Sequence, residues 1–90
     1  MDPIEKLRDA LQCGRVTINA LDDGSGVLLD VDGEQLISLN RTGIRLVQYL
    51  DEGAATLDAV RDRLAEEFEI DSDRAERDAR AFFAELARAV

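Results

Sequence analysis

The sequence predicts an α+β domain: a short N-terminal helix, a three-stranded antiparallel sheet, and then three helices. Three observations carry this. Apolar residues alternate at a period of two between Arg15 and Leu39. Turn signals at Asp22–Asp23–Gly24–Ser25 and Asp32–Gly33 divide that stretch into three. From Asn40 onward the apolar period switches to that of an amphipathic helix.

Each element has its own local cause. Asp2 is a good N-cap, Pro3 suits the first helical position, and Glu5 completes a capping box. Ile4, Leu7, Ala10 and Leu11 then share one face, which predicts a helix packed on the domain. Gly14 ends it. In Arg15–Leu21, Val16, Ile18 and Ala20 alternate with Arg15, Thr17 and Asn19, the pattern of a half-buried strand. In Gly26–Val31, Val27, Leu29 and Val31 fall on one face and Leu28 on the other. Asp32–Gly33 is a pair suited to the positive-φ geometry of a tight hairpin turn. The third strand, Glu34–Leu39, runs directly into a helix capped by Asn40, with Ile44, Leu46, Val47 and Leu50 as its stripe and Gly53 at its end. Thr56 caps the next helix, whose Leu57, Val60, Leu64 and Phe68 have the cleanest helical spacing in the chain. The last helix is expected to begin near Asp73 with Glu76 closing a capping box. Ala75, Ala79, Phe82 and Leu86 form its expected core face, flanked by Phe83 and Ala87. The expected core is Leu39, Val47, Leu50, Leu57, Val60, Leu64, Phe82 and Leu86.

Ninety residues make one small domain, divided here into a helical extension over 1–13 and the sheet-plus-helix unit over 14–90. A hydrophobic content of 46% is enough for a modest core, and the 4% aromatic content means aliphatic side chains must fill it. The formal net charge of −9 argues against nucleic acid as partner, because phosphate binding rests on a basic surface. No apolar run approaches the length of a membrane span and no signal peptide opens the chain, so the expectation is a cytoplasmic protein with no membrane partner.

Catalytic chemistry finds little material. The chain has no histidine and one cysteine, Cys13, read as a buried or incidental thiol. That excludes the ordinary zinc ligand sets and the Ser-His-Asp triad. The carboxylates at Asp22–Asp23, Glu66–Glu67, Asp71 and Asp73 fall at turns and helix ends, where capping and solvation account for them. Glu66, Glu67 and Glu69 oppose the dipole at the end of their helix. Asp71-x-Asp73 lacks the glycine and terminal glutamate of a calcium loop. The reading is a binding protein, not an enzyme, with no cofactor.

Three strands followed by three helices is the layout of a winged helix-turn-helix-like domain. Leu39-Asn40-Arg41-Thr42-Gly43, then Leu46, then Leu50-Asp51-Glu52-Gly53 resembles the L-N-x-T-G … L … G signature of PqqD-like proteins, the stand-alone recognition elements for ribosomally synthesised precursor peptides. Thr56–Val60, Leu64 and Asp78–Leu86 extend the resemblance, which spans Arg15 to the C-terminus. Three features depart from it. The third strand lacks an aromatic residue, the second turn lacks Pro-Glu-Gly, and the chain ends Ala89–Val90 rather than Gly-Leu-Leu.

The resemblance implies leader-peptide binding: the leader adds as a strand to the third strand and lies in a groove against the last helix, which presents it to a maturation enzyme. That enzyme would be a radical-SAM protein, a cyclase or a leader protease. Carried to this chain, the edge is Glu34, Gln35, Leu36, Ile37, Ser38 and Leu39. The groove wall is the face of the last helix bearing Arg74, Arg77, Arg80, Ala81 and Ala84. The three arginines share a face and would favour acidic leader residues, although they equally suit pairing with Asp73, Glu76 and Asp78. Two other classes of function compete. A winged-helix DNA binder would use the last helix for recognition, against the acidic charge and without a basic wing. A scaffold or oligomerisation domain would use the same free edge, which is also a route to a homodimer.

Overall fold

The structure is a computed structural model, and it describes residues 2–90. Its elements run α1 (Pro3–Gln12), β1 (Val16–Ala20), β2 (Gly26–Asp30), β3 (Gln35–Leu39), α2 (Arg41–Asp51), α3 (Leu57–Phe68) and α4 (Ser72–Ala89). The sheet order is β1-β2-β3, both pairings antiparallel. The α+β layout expected from the switch of period is therefore present, with the sheet lying against α2 and the helices packed on one another.

Caps account for most boundaries. Asp2 accepts from the Ile4 N–H, Asn40 from Gly43 and Thr56 from Ala59, each occupying a donor left free at a helix start. Gly53 follows the C-cap of α2 with φ 116°. One boundary moves: α4 is capped by Asp71, which accepts from the Arg74 N–H, so the helix starts at Ser72 rather than near Asp73.

The β2–β3 turn differs from expectation in its mechanism. Asp30 pairs with Gln35, and the left-handed residue is Glu34, at φ 52°, not Gly33. Gly33 is required for closeness instead. A Cβ there would stand 2.5 Å from Oδ2 of Asp30, whose carboxylate accepts the Gly33 N–H at 3.1 Å.

One core runs through the domain. Leu7 of α1, Val16 and Leu28 of the sheet, Val47 of α2, Val60 and Leu64 of α3, and Ala75, Ala79 and Leu86 of α4 are all buried in it. The inward face of β2 carries Gly26, Leu28 and Asp30, so Leu29 and Val31 point to solvent, as does Leu36 of β3. Two core expectations change. Leu57 is half-buried, and Phe83, 1% exposed, takes the core place expected of Phe82, which is half-buried. Cys13 is exposed at the end of α1, where its Sγ accepts from Arg15 Nε at 3.2 Å. That hydrogen bond holds the thiol pKa below its ordinary value.

The carboxylate of Glu67 is also more than a solvating group. Arg45 of α2 meets it with two nitrogens at 2.8 Å, and the hydroxyl of buried Tyr49 donates to it at 2.8 Å. The guanidinium groups of Arg45 and Arg63 lie over the Tyr49 ring, 4.9 and 4.5 Å from its centroid. This cluster ties α2 to α3 and offsets the unfavourable place of Glu67 near the end of α3.

Candidate functional site

β3 is an outer strand of the sheet: among the described residues it pairs with β2 on one side and with no strand on the other. Such an edge presents unpaired N–H and C=O groups to an incoming strand. The pleat sends Gln35, Ile37 and Leu39 inward and Leu36 and Ser38 outward, with Leu36 69% exposed beside Leu29, its cross-strand partner.

Beside this edge, β3 and α4 bound a hollow of about 260 Å³ lined by Ile37, Ser38, Leu39, Phe82, Glu85, Leu86 and Ala89. A second hollow continues it along α4 toward the start of α2. It is bounded by Asn40, Gly43 and Leu46 on one side and Asp78, Ala81, Phe82 and Glu85 on the other. Phe82 and Glu85 border both, so the two form one trough with Phe82 at its middle. The sequence builds this closeness through Gly43, where a Cβ would lie 2.9 Å from Cε1 of Phe82.

Gln35 sets one end of the trough. Its amide nitrogen donates to Oδ2 of Asp30 at 3.0 Å and to the carbonyl of Ala89 at 2.7 Å, tying the start of β3 to the end of α4. Asp30 is 7% exposed, and its carboxyl is held below the usual carboxylate range, first by the Gln35 amide and then by the Gly33 N–H. Glu34 sits in the turn just before the strand.

The arginine-bearing face of α4 lies elsewhere. Arg77, Arg80, Ala81 and Ala84 border a separate hollow with Asp73 and Glu76 that no β3 residue reaches. Arg80 also borders an apolar hollow with Pro3, Ile4, Leu57 and Phe83. Arg74 pairs with Asp78 at 3.6 Å and Arg80 with Glu76 at 3.6 Å, both on the exposed surface. Of the α4 residues singled out from sequence, only Ala81 borders the trough as well. Phe82, Glu85, Leu86 and Ala89, which border the trough with β3, are not among the site residues the sequence suggests; it places Phe82 and Leu86 in the core. The cause is helical phase: placing Phe82 in the core makes the flank turned toward β3 interior. Phe82–Phe83, one core and one flank, is the signal that could have pointed there.

Among the described residues, no group of three or more His, Cys, Asp or Glu side chains is placed to hold a metal. No helix of the described residues is long and apolar enough to cross a membrane. What remains is a small winged-helix-like α+β domain whose distinguishing feature is a free strand edge beside a trough of mixed apolar and polar lining.

Comparison with known proteins agrees with that class. Residues 25–89 match the family model described as "Coenzyme PQQ synthesis protein D (PqqD)", and the chain belongs to this family. Among solved structures it is similar to the protein in "TbiB1 in Complex with the TbiA(beta) Leader Peptide", at 28% identity and a TM-score of 0.75. The match covers 83% of this chain and 85% of that one. No curated protein matches the chain.

Proposed function

We propose that this protein binds the leader segment of a ribosomally synthesised precursor peptide by strand addition to β3 and presents it to a maturation enzyme. The observation that carries the reading is the pairing of a free edge, Gln35–Leu39, with the adjoining trough bordered by Phe82, Leu86 and Ala89. Backbone hydrogen bonds along the edge supply affinity, and the trough selects side chains. Membership of the PqqD family and the likeness to a protein solved with a leader peptide support it. The protein then acts as a cytoplasmic adaptor, not as a catalyst. The chemistry belongs to a partner such as a radical-SAM enzyme, a cyclase or a leader protease.

In this reading residues 14–90 are the recognition unit, and the N-terminal helix is an extension packed on it. The peptide contacts Glu34 through Leu39 first. Ala81 joins the trough to the face bearing Arg74, Arg77, Arg80 and Ala84, a second contact for peptide beyond the strand. Synthetic peptides from small open reading frames neighbouring the gene, titrated into isotope-labelled protein, test the proposal. A cognate leader shifts the amides of Gln35–Leu39 and of Phe82–Ala89. Shifts confined to Ile4–Leu11 would refute it.

A further inference from the structure

We infer that the trough selects a peptide carrying a basic side chain beside an apolar one, the apolar group covering Phe82 and the basic group meeting Glu85. This rests on the proposed reading of the β3 edge and adds the chemistry of the peptide. The first observation is the charge of the lining. Among the described residues, Asp78 and Glu85 are the only charged ones bordering the trough, and both are anionic. The second is their pairing. Asp78 has Arg74 at 3.6 Å, whereas none of the ion pairs and side-chain hydrogen bonds formed among the described residues involves Glu85. The third is where nearby cations lie: Arg77 and Arg80 border the separate hollow, Lys6 donates to the carbonyl of Ala87, Arg41 donates to the carbonyl of Asp23, and Arg88, one turn from Glu85 on α4, borders neither part of the trough and makes no ion pair with Glu85.

A peptide lying over Ile37, Phe82 and Leu86 shields Glu85 from water. A carboxylate shielded without a partner is costly, and one facing a second carboxylate is more so. A lysine or arginine at that point removes the cost, and the net charge of −9 draws such a peptide in from a distance. Spacing follows from geometry. Phe82 and Glu85 are one turn apart on α4, roughly 5 Å along its axis. An extended peptide advances about 3.3 Å per residue with alternating faces. The apolar and basic residues therefore stand two positions apart. This is the opposite of the acidic preference that arginines lining the groove would give.

The test is a display selection of randomised 14-residue peptides on wild type, on Glu85→Arg, and on Glu66→Arg, each checked for folding by circular dichroism. Wild type should enrich Lys or Arg two positions from an apolar residue. Glu85→Arg should shift that position to Asp or Glu, while Glu66→Arg, the same charge change on an exposed site of α3 away from the trough, should keep the basic preference. A peptide selected on wild type should bind Glu85→Arg roughly tenfold more weakly at low salt, and the gap should narrow as salt rises. Pools without a basic preference, or the same preference on Glu85→Arg, overturn the inference. Amide shifts on the selected peptides separate this failure from a larger one. Shifts at Gln35–Leu39 with no charge preference leave strand addition standing, whereas shifts that avoid β3 remove the strand-addition reading as well.

Discussion

Phe82 and Phe83 are adjacent in sequence, their rings meet edge to face with centroids 5.3 Å apart, and truncating each should have a different consequence. Phe83 is 1% exposed and sits in the core with Ala79 and Leu86. Phe83→Ala should destabilise the domain by about 3–5 kcal/mol, from lost transfer energy and the cavity left behind. Domains of this kind have only about 5–15 kcal/mol of stability in total. Phe82 is half-buried, so its truncation gives up part of its apolar area and the edge-to-face contact, about 1–2 kcal/mol together. Urea denaturation followed by circular dichroism reads the difference. At a slope of roughly 1–3 kcal/mol/M, Phe83→Ala should lower the midpoint by about 2 M and Phe82→Ala by well under half of that. Peptide binding should rank the other way, with Phe82→Ala folded and weakened in binding. If Phe83→Ala fails to fold, the leucine variants at the two positions should keep the same order. A larger loss of stability at Phe82 than at Phe83 would show the helical phase, and the trough built on it, to be wrong.

Two further outcomes are expected from the titratable groups. Tyr49 is the only tyrosine, and the chain has no tryptophan, so ultraviolet titration reads it alone. Burial first, then the hydrogen bond to Glu67, pushes its pKa up to about 12. A raised phenol stabilises the fold fully below its unfolded pKa of about 10, and that stability drains as pH rises from there toward the folded value. A midpoint near 10 in the folded protein would refute the buried placement. Asp30 is the opposite case, its folded pKa depressed by Gln35 and the Gly33 N–H. The stability it confers is present above the ordinary carboxylate pKa of about 4 and is lost as pH falls through the depressed value. The urea midpoint of Asp30→Asn should therefore fall less between pH 5 and pH 2 than that of wild type. Equal falls would show that the carboxylate is not held as described.

Local physics made the element order readable. A period of two ends and a period of 3.6 begins at Asn40, and Asp2, Asn40 and Thr56 cap helices where their short polar side chains predicted it. The L-N-x-T-G run carried the family because it combines a strand end, a cap and the glycine that Phe82 crowds. The strand end and the cap depend on residues a few positions apart, and a sequence displays them directly, whereas the crowding of Gly43 by Phe82 exists only in the fold. What the tertiary structure alone decided is which flank of α4 faces β3. An amphipathic stripe has two flanks that are equivalent in sequence, and the packing of α1, α3 and the sheet around α4 breaks that symmetry. The arginines fell on one flank and Phe82, Glu85 and Ala89 on the other. Likewise the role of Gly33 depends on a carboxylate folded back from Asp30, and the role of Glu67 on Arg45 from another helix. Contacts between distant segments set the chemistry of the trough, because only folding brings β3 beside the end of α4.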